Sequence, residues 1–190
     1  MGRWQPDALG RLQQAALELY AERGFEATAV TDIAERAGLT ERTFFRYFTD
    51  KREVLFGGTE ELLALFTDAV AGAAPALAPM DAVAEALRAS TAFFEDRVDH
   101  SRRRQAVIDA NPSLQERELH KLATMAAAVA DALRGRGVGD PAAILTAEAG
   151  VTVFKVAFAR WLGDSDGTDL GTLMQQTLDE LRSVTQSPPA

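Results

Sequence analysis

The sequence predicts an all-α fold, and three observations support this prediction. Alanine is frequent among the 190 residues, runs of β-branched residues are short, and period-two alternation of apolar and polar residues is rare. Hydrophobic residues make up 47% of the chain and charged residues 25%, a balance typical of a globular protein with a buried core. The length allows a small amino-terminal domain followed by a larger helical one.

Two helices are predicted at the start of the chain. The first is amphipathic, runs from about Asp7 to Arg23, and ends at Gly24, a residue type that commonly closes helices in a left-handed conformation. Thr28 is the expected N-cap of the second helix, which has about two turns and stops at Gly38.

A third short helix follows after a three-residue turn. Thr40 is its expected N-cap, and its sequence is ERTFFRYF. Phe44 and Phe48 lie four residues apart, so both point to one side of the helix and are expected to be buried. Two short helices joined by a tight turn predict a helix-turn-helix motif.

A longer helix is predicted to begin near Asp50, because Asp50 and Glu53 form a variant of the capping box. This helix is expected to end at an Ala/Pro-rich loop. With the later helices, the total is about nine. The later helices are predicted at about Asp81–Asp99, Arg102–Ala110, Pro112–Arg134, Pro141–Leu162 and Asp169–Val184.

Composition excludes several classes of function. The chain contains no cysteine, its two histidines are isolated, and no catalytic or phosphate-binding motif occurs, so we predict no metal, no cofactor and no enzymatic activity. The amino terminus has no apolar stretch of signal-peptide length, and no later segment offers about 20 uninterrupted apolar residues, so a cytoplasmic location is expected. The net charge is -8, but residues 1–56 carry eight basic and nine acidic residues, so the amino-terminal part is close to neutral.

Residues 25–56, FEATAVTDIAERAGLTERTFFRYFTDKREVLF, resemble the amino-terminal domain of the TetR family of one-component regulators. The shared features are the aromatic residue after Gly24, the Thr-x-x-x-Asp-Ile-Ala opening, Ala37-Gly38, Thr40, Thr43, Tyr47-Phe48 and Lys51. The resemblance implies an all-helical regulator that binds operator DNA.

A helix that enters the major groove needs one exposed polar side and one side anchored by large apolar residues, and the third helix meets both conditions. Arg46 and Arg42 are the leading base readers, Lys51 is expected to hold a phosphate, and Thr28 and Thr31 are expected either to contact phosphate or simply to cap their helix. Glu41, Arg42 and Phe45 depart from the usual family pattern. The predicted DNA-binding residues are Thr28, Thr31, Thr40, Arg42, Thr43, Phe45, Arg46, Tyr47 and Lys51.

The resemblance also implies a homodimer, in which the last two helices of each subunit pack together. The segment from Ile144 to Leu162 is apolar around much of its circumference, which indicates that it is covered on two sides. The alternative is a large monomeric core. The predicted interface consists of Val151, Phe158, Leu170, Leu173, Met174, Leu178 and Leu181.

A small-molecule effector is the third implication of the resemblance, and its identity is not encoded in any motif. Aromatic residues and methionine suit a flat or lipophilic ligand, although each residue is equally compatible with an ordinary core. The candidate ligand-binding residues are Phe93, Phe94, Arg97, Met125, Val129, Phe154, Phe158 and Trp161.

The sequence thus predicts a DNA-binding domain over residues 1–56, an effector and dimerisation domain over 57–185, and a disordered tail over 186–190. The predicted function is a repressor that binds a palindromic operator as a dimer and is released by an effector, which would tilt the helix beginning near Asp50. The alternative is a helical small-molecule-binding protein whose amino-terminal domain does not read DNA.

Overall fold

The computed structural model describes residues 7–185, and within this range the chain forms nine α-helices, two 3-10 helices and no strand. The all-α prediction is confirmed, and the predicted disordered tail at 186–190 lies outside the described residues. The elements are α1 (Ala8–Arg23), α2 (Val30–Arg36), α3 (Glu41–Tyr47), η1 (Glu53–Phe56), α4 (Thr59–Gly72), α5 (Pro79–Ser90), η2 (Thr91–Phe94), α6 (Val98–Asp109), α7 (Pro112–Gly135), α8 (Ala142–Gly163) and α9 (Leu170–Thr185).

The described chain divides into two compact units. Unit 1 contains residues 7–59 and 99–118, and unit 2 contains residues 60–98 and 119–185. The division into contiguous domains at residue 56 stays a prediction. The amino-terminal unit nevertheless contains a second segment, 99–118, that the sequence pattern placed in the carboxy-terminal domain.

The first two helices of unit 1 have well-defined ends. The Asp7 carboxylate accepts a hydrogen bond from the backbone N–H of Gly10 at 2.8 Å and so caps α1. Gly24 ends this helix with a φ of +86°, a conformation that suits glycine. The N-cap of α2 is Ala29 instead of the predicted Thr28, and the Asp32 carboxylate accepts a hydrogen bond from the Ala29 N–H at 3.0 Å.

The helix predicted to begin near Asp50 is interrupted, which corrects the sequence-based boundary. The Asp50 carboxylate does accept hydrogen bonds from the backbone N–H groups of Arg52 and Glu53, at 2.7 and 3.3 Å. The turn that it caps is the short 3-10 helix η1, however, and α4 begins only at Thr59. Between them lie Gly57 and Gly58, and Gly58 has a φ of +85°. Glycine loses more conformational entropy than other residues when it becomes helical, so two consecutive glycines favour such a break.

Unit 1 has one hydrophobic core, to which both of its segments contribute. The residues 7–59 supply the side chains of α1, α2, α3 and η1, among them the fully buried Leu12 and Phe44. The residues 99–118 supply Val107, Ile108 and Leu114, and the last two are 1% and 0% exposed. The second segment therefore completes the core of the unit that carries the helix-turn-helix motif.

Unit 2 is built around α8, which packs against both α5 and α9. The approach of α5 is close, because a Cβ atom on Gly150 would overlap the side chain of Val83. The helix α5 itself stops at Ser90 and is followed by η2, so the helix predicted from Asp81 to Asp99 is shorter than expected.

The helix α8 is also, within residues 7–185, the one helix long and apolar enough to cross a membrane by length and composition. Its buried residues belong to the core of unit 2, and core helices of soluble proteins pass the same test, so this observation is weak evidence for a membrane span.

Candidate nucleic-acid interface

The turn between α2 and α3 is set by backbone hydrogen bonds and one glycine. Gly38 has a φ of +66°, and the N–H of Leu39 donates to the carbonyl of Ala34 at 2.8 Å, a pattern that closes α2. Thr40 then starts α3 as predicted, because its hydroxyl accepts a hydrogen bond from the backbone N–H of Thr43 at 3.2 Å. The turn therefore presents α3 immediately after α2, as a helix-turn-helix requires.

The inner side of α3 is anchored by aromatic side chains. Phe44 and Phe48 are 0% and 5% exposed, and their ring centres lie 5.4 Å apart, which confirms the prediction that both are buried. Phe45 and Tyr47 are instead exposed, at 54% and 41%. Contiguous exposed apolar patches, unlike single exposed residues, commonly mark binding surfaces.

The outer side of α3 carries Arg42 and Arg46, both exposed. The Arg46 guanidinium lies over the Tyr47 ring, 4.8 Å from its centre, and donates a hydrogen bond to the Tyr47 hydroxyl at 3.0 Å. Within residues 7–185, no ion pair joins Arg42 or Arg46 to a carboxylate, although Glu41 is adjacent in sequence. Their positive charges are therefore available to an external anion.

Other arginines of the same unit are neutralised by carboxylates. Arg36 pairs with Glu22 at 2.8 Å, and this hydrogen bond lowers the pKa of the Glu22 carboxyl and raises the pKa of Arg36. Arg52 likewise pairs with Asp50 at 2.8 Å. The exposed positive charge of the helix-turn-helix region is thus concentrated on α3, which explains how a near-neutral amino-terminal part can present a cationic face.

Thr28 was predicted as a phosphate contact or an N-cap, and its surroundings support neither role. The side chain is 1% exposed, and its hydroxyl donates to the Gly24 carbonyl at 2.8 Å. This bond closes the loop between α1 and α2. Thr31 and Thr40 are exposed, so both remain accessible to a phosphate, whereas Thr43 is partly buried.

Lys51 was predicted to hold a DNA phosphate from the first turn of a long helix. Its ammonium group instead donates to three backbone carbonyls in the loop between α1 and α2, those of Phe25, Glu26 and Thr28, at 2.8, 3.1 and 3.0 Å. It also lies 4.5 Å from the centre of the Phe25 ring. Because an ammonium has three N–H donors, these contacts use its full capacity. The geometry therefore assigns Lys51 to the scaffold of unit 1.

Tyr20 completes this scaffold from α1. Its hydroxyl donates to the Lys51 carbonyl at 2.6 Å, and burial raises the pKa of the phenol, with a smaller contribution from Asp50. Since a Lys51 side chain can reach outward or inward with equal ease, no sequence signal distinguishes the two cases.

Two known family patterns match most of the sequence. Residues 12–63 match the family described as "Bacterial regulatory proteins, tetR family", and residues 77–186, more than half of the chain, match the "MftR C-terminal domain". The chain belongs to the TetR family. TetR-family proteins are transcription regulators that bind DNA through a helix-turn-helix and are not enzymes, so the predictions of family and of no enzymatic activity are confirmed.

Relatives and solved structures of this family match over most of the chain. The MftR protein of Mycobacterium tuberculosis, described as a mycofactocin biosynthesis transcriptional regulator, is 28% identical over 167 residues, 86% of this chain and 84% of the relative. The transcriptional activator FasR of Mycolicibacterium smegmatis is 27% identical over 176 residues, 89% of this chain and 78% of the relative.

Among solved structures, FadR of Bacillus subtilis in complex with stearoyl-CoA has a TM-score of 0.62 at 17% identity, with 93% of this chain and 99% of that chain covered. The FadR repressor of Thermus thermophilus in complex with lauroyl-CoA has a TM-score of 0.55 at 22% identity, with 96% and 97% covered. At these identities the structures establish the TetR-family fold alone.

The candidate effector residues of this TetR-family chain lie mainly in the core of unit 2. Met125 and Val129 are each 1% exposed, so they are core residues in this structure. The aromatic candidates form one cluster, in which Phe154 and Phe158 stack at 5.6 Å and Trp161 lies 5.6 Å from Phe158. The structure therefore brings together Phe93, Phe94, Phe154, Phe158 and Trp161.

Arg97 is exposed, and its guanidinium lies 4.7 Å from the centre of the Phe93 ring at the edge of this aromatic cluster. Two surface cavities of unit 2 lie elsewhere. One, of about 340 Å³, lies between α5 and α9 and includes Leu87, Arg88 and Met174. The other, of about 480 Å³, lies between α4 and α5 and includes Ala69, Glu85 and Arg88. Met174 and Leu178, which line the first of these cavities, belong to the predicted dimer interface and not to the candidate effector residues.

The residues of the predicted dimer interface lie mostly inside unit 2. Five of its seven members are buried inside unit 2 and are at most 7% exposed: Val151, Leu170, Leu173, Met174 and Leu178. Phe158 and Leu181 are partly buried and pack against the same core. The exposed apolar side chains of α8 are instead Ile144, Leu145 and Val156, at 44%, 66% and 40%. Sequence periodicity does not distinguish the two groups, because a helix with apolar residues on several sides does not reveal which side its own subunit covers.

Proposed function

We propose that this chain is an effector-responsive repressor that reads a palindromic operator as a dimer. The observation that carries the proposal is the outer side of α3, where Arg42 and Arg46 are exposed and have no carboxylate partner within residues 7–185. Guanidinium groups in this position suit bidentate contact with guanine O6 and N7 in the major groove. The anchoring of α3 by Phe44 and Phe48 supports the same role, since it fixes the helix against the core.

A dimer is proposed from the free side of α8. Leu145, Thr152 and Val156 are exposed, and their spacing of seven and four residues places them on one side of the helix. Ala149 and Ala159 lie between and beyond them, so this side is formed by small and apolar residues that allow close helix packing. A two-fold dimer that reads a palindromic operator requires half-sites about 34–36 Å apart, or a multiple of it.

The effector is proposed to be lipophilic and to bind among the aromatic residues of unit 2. The cluster of Phe93, Phe94, Phe154, Phe158 and Trp161 offers a large apolar surface, and Arg97 at its edge offers one cation. The two FadR neighbours are named as complexes with stearoyl-CoA and lauroyl-CoA. These two acyl thioesters are therefore the first probes, and quenching of Trp161 fluorescence is the readout.

Repression is proposed as the direction of regulation because it is the usual one in the family. The relatives include both directions, since FasR is named as an activator and the Thermus thermophilus FadR as a repressor. A reporter gene under the selected operator distinguishes the two: deletion of the regulator should raise expression if it represses and lower it if it activates.

Selection of bound DNA from a random library by the purified full chain tests the proposal. We expect a palindrome to be enriched, with an affinity that falls steeply as salt rises, because phosphate contacts release counterions. Replacement of both Arg42 and Arg46 by alanine should abolish the enrichment, while the same change at Arg88, an exposed arginine of unit 2, should not.

If the wild-type chain enriches no sequence even at low salt, the alternative of a small-molecule-binding protein without DNA reading is favoured. Two observations keep that alternative open, the net charge of -8 and the engagement of all three Lys51 donors within unit 1.

A further inference from the structure

The 3-10 helix η1 is held by two arginines from the second segment of unit 1. Arg104 of α6 donates from Nε to the Leu55 carbonyl at 2.6 Å. Arg117 of α7 donates to both carboxylate oxygens of Glu53, at 2.9 and 3.0 Å. The two guanidinium groups also lie 5.1 and 5.5 Å from the centre of the Phe56 ring. We call these contacts of Arg104 and Arg117 with η1 the arginine clamp.

One of the two arginines of the clamp also forms a mostly buried ion pair. Arg104 pairs with Glu118 at 2.7 Å, and their side chains are 13% and 19% exposed. Bidentate bonding to Glu53 raises the pKa of Arg117, so this guanidinium stays charged in all ordinary conditions. The bidentate pair of Arg117 and Glu53 has strict geometry, although its side chains are 38% and 28% exposed. A displacement of α6 or α7 therefore changes the contacts of η1.

The position of η1 is in turn coupled to α3. Val54 and Leu55 are buried in the same core as Phe44 and Phe48, the two anchors of the recognition helix. The short connection between α3 and η1 is itself fixed, because Lys51 bonds to the loop between α1 and α2. Tightly packed interiors transmit a displacement instead of absorbing it.

The link from η1 to α4 is much weaker. Gly57 and Gly58 separate the two helices, and the positive φ of Gly58 ends the helical hydrogen bonding. The Thr59 hydroxyl donates a hydrogen bond to the Phe56 carbonyl at 2.5 Å across this break. A tilt of α4 is therefore poorly coupled to η1, unlike the continuous helix that the sequence analysis expected from Asp50.

The helix α7, by contrast, is continuous across the sequence boundary between unit 1 and unit 2. Its residues 112–118, including Arg117 and Glu118, belong to unit 1, and its residues 119–135 belong to unit 2. Met125, Val129 and Leu133 of the latter part are buried in the core of unit 2. After Pro112, no glycine or proline occurs in α7 before its last residue, so the helix has no hinge in its sequence.

We propose that a change in packing around α7 in unit 2 reaches the recognition helix through the arginine clamp on η1, with Arg104 and Arg117 as positioning residues, and not through α4. This inference rests on the proposed function, because such a route has a use only in a regulator whose DNA affinity responds to an effector. It replaces the tilt of a helix beginning at Asp50 with a displacement of α7.

Hydrogen–deuterium exchange of the free full-length protein, followed by mass spectrometry, tests this route. The perturbation is Met125→Ala, which leaves a cavity on the buried side of α7, and the matched perturbation on α4 is Leu62→Ala, at a residue 2% exposed. We expect Met125→Ala to accelerate exchange in η1 by about fivefold relative to α1, within the usual range of coupling between sites. Leu62→Ala should leave that ratio unchanged.

The same pair of measurements in an Arg117→Met background examines the clamp itself. Methionine keeps an apolar stem against Phe56 but removes the bond to Glu53, so the effect of Met125→Ala on η1 should disappear. A residue with only a structural role would give additive effects, whereas a positioning residue gives a non-additive one.

Three results would each overturn the proposal: an unchanged exchange ratio in Met125→Ala, an equal or larger effect of Leu62→Ala, or persistence of the Met125→Ala effect without Arg117. If Met125→Ala does not fold, Val129→Ala provides a smaller deletion on the same helix. The experiment contains neither DNA nor effector. Failure of operator selection would therefore refute the proposed function without altering this result.

Discussion

Four arginines of unit 1 form two pairs with opposite surroundings. Arg104 and Arg117, in the segment 99–118, are bonded to Glu118 and Glu53 and pack against the Phe56 ring. Arg42 and Arg46, on α3, are exposed and lie next to aromatic side chains. The same side-chain chemistry thus stabilises the fold in one place and is left for an external anion in the other. The presence or absence of a carboxylate partner separates the two uses.

The largest expected difference between the groups concerns stability. Replacement of Arg104 by methionine breaks a mostly buried ion pair and leaves Glu118 with less compensation, so the free energy of unfolding should fall by about 3 kcal/mol. Arg103→Met, at an exposed position of the same helix, should change it by less than about 0.5 kcal/mol. Urea denaturation of both variants gives the comparison, and equal losses would show that Arg104 is no more structural than its neighbour.

Lys51 provides a second test, because the sequence placed it with the DNA contacts and the structure places it with the scaffold. Lys51→Met removes three charge-assisted hydrogen bonds to carbonyls and should lower the free energy of unfolding by about 2 kcal/mol. The dependence of operator affinity on salt should keep its slope, because no phosphate contact is lost. A slope smaller by about one, with normal stability, would restore the phosphate role.

A third prediction concerns Arg46, where the effect should fall on DNA affinity. Arg46→Ala should weaken binding to the selected operator about tenfold, or about 1.4 kcal/mol, and relax the preference at one base pair. Stability should change little, because the side chain is exposed. Titration of the operator and of single-base variants measures both effects. An operator affinity equal to that of the wild type would remove Arg46 from the reading residues.

The smallest expected effect is a dependence on pH at Asp50. The Arg52 guanidinium and two backbone N–H groups hold the pKa of this carboxyl below its usual range. A carboxyl with a lowered pKa in the folded state stabilises the fold above its unfolded pKa of about 3.9, and this contribution is lost as the pH falls through the folded value.

The difference in stability between the wild type and Asp50→Asn should therefore be constant from about pH 7 to pH 5 and should shrink below about pH 4. Solvent screening limits it to about 0.5 kcal/mol, because the side chain is 37% exposed. Thermal unfolding at several pH values measures the difference. A difference that grows on acidification would contradict the assigned direction of the pKa shift.

The recognition unit was the part most accessible from sequence. The spacing of Phe44 and Phe48, the cap at Thr40 and the turn at Gly38 are local patterns, and each was found where the sequence placed it. The pair Gly57-Gly58 is a sequence signal for the break before α4, and it outweighs the capping pattern at Asp50, which favours a continuous helix.

The remaining differences depend on tertiary contacts. No local pattern shows that Lys51 points inward, because its partners lie at least 23 residues away along the chain. Periodicity also could not assign the apolar sides of α8 and α9, since core and subunit interface are formed by the same residue types. Leu173 and Met174 are therefore buried inside the subunit, whereas Leu145 is exposed.

The chain enters unit 1 twice, first with residues 7–59 and again with 99–118. A chimera that exchanges only the first segment between two TetR-family regulators would transfer α3 without its own Ile108, Leu114 and Arg104, which complete the core and the clamp. Operator specificity is therefore best grafted as two pieces of sequence. Among relatives, substitutions at residues 99–118 should correlate with substitutions in η1 more closely than with a change of effector.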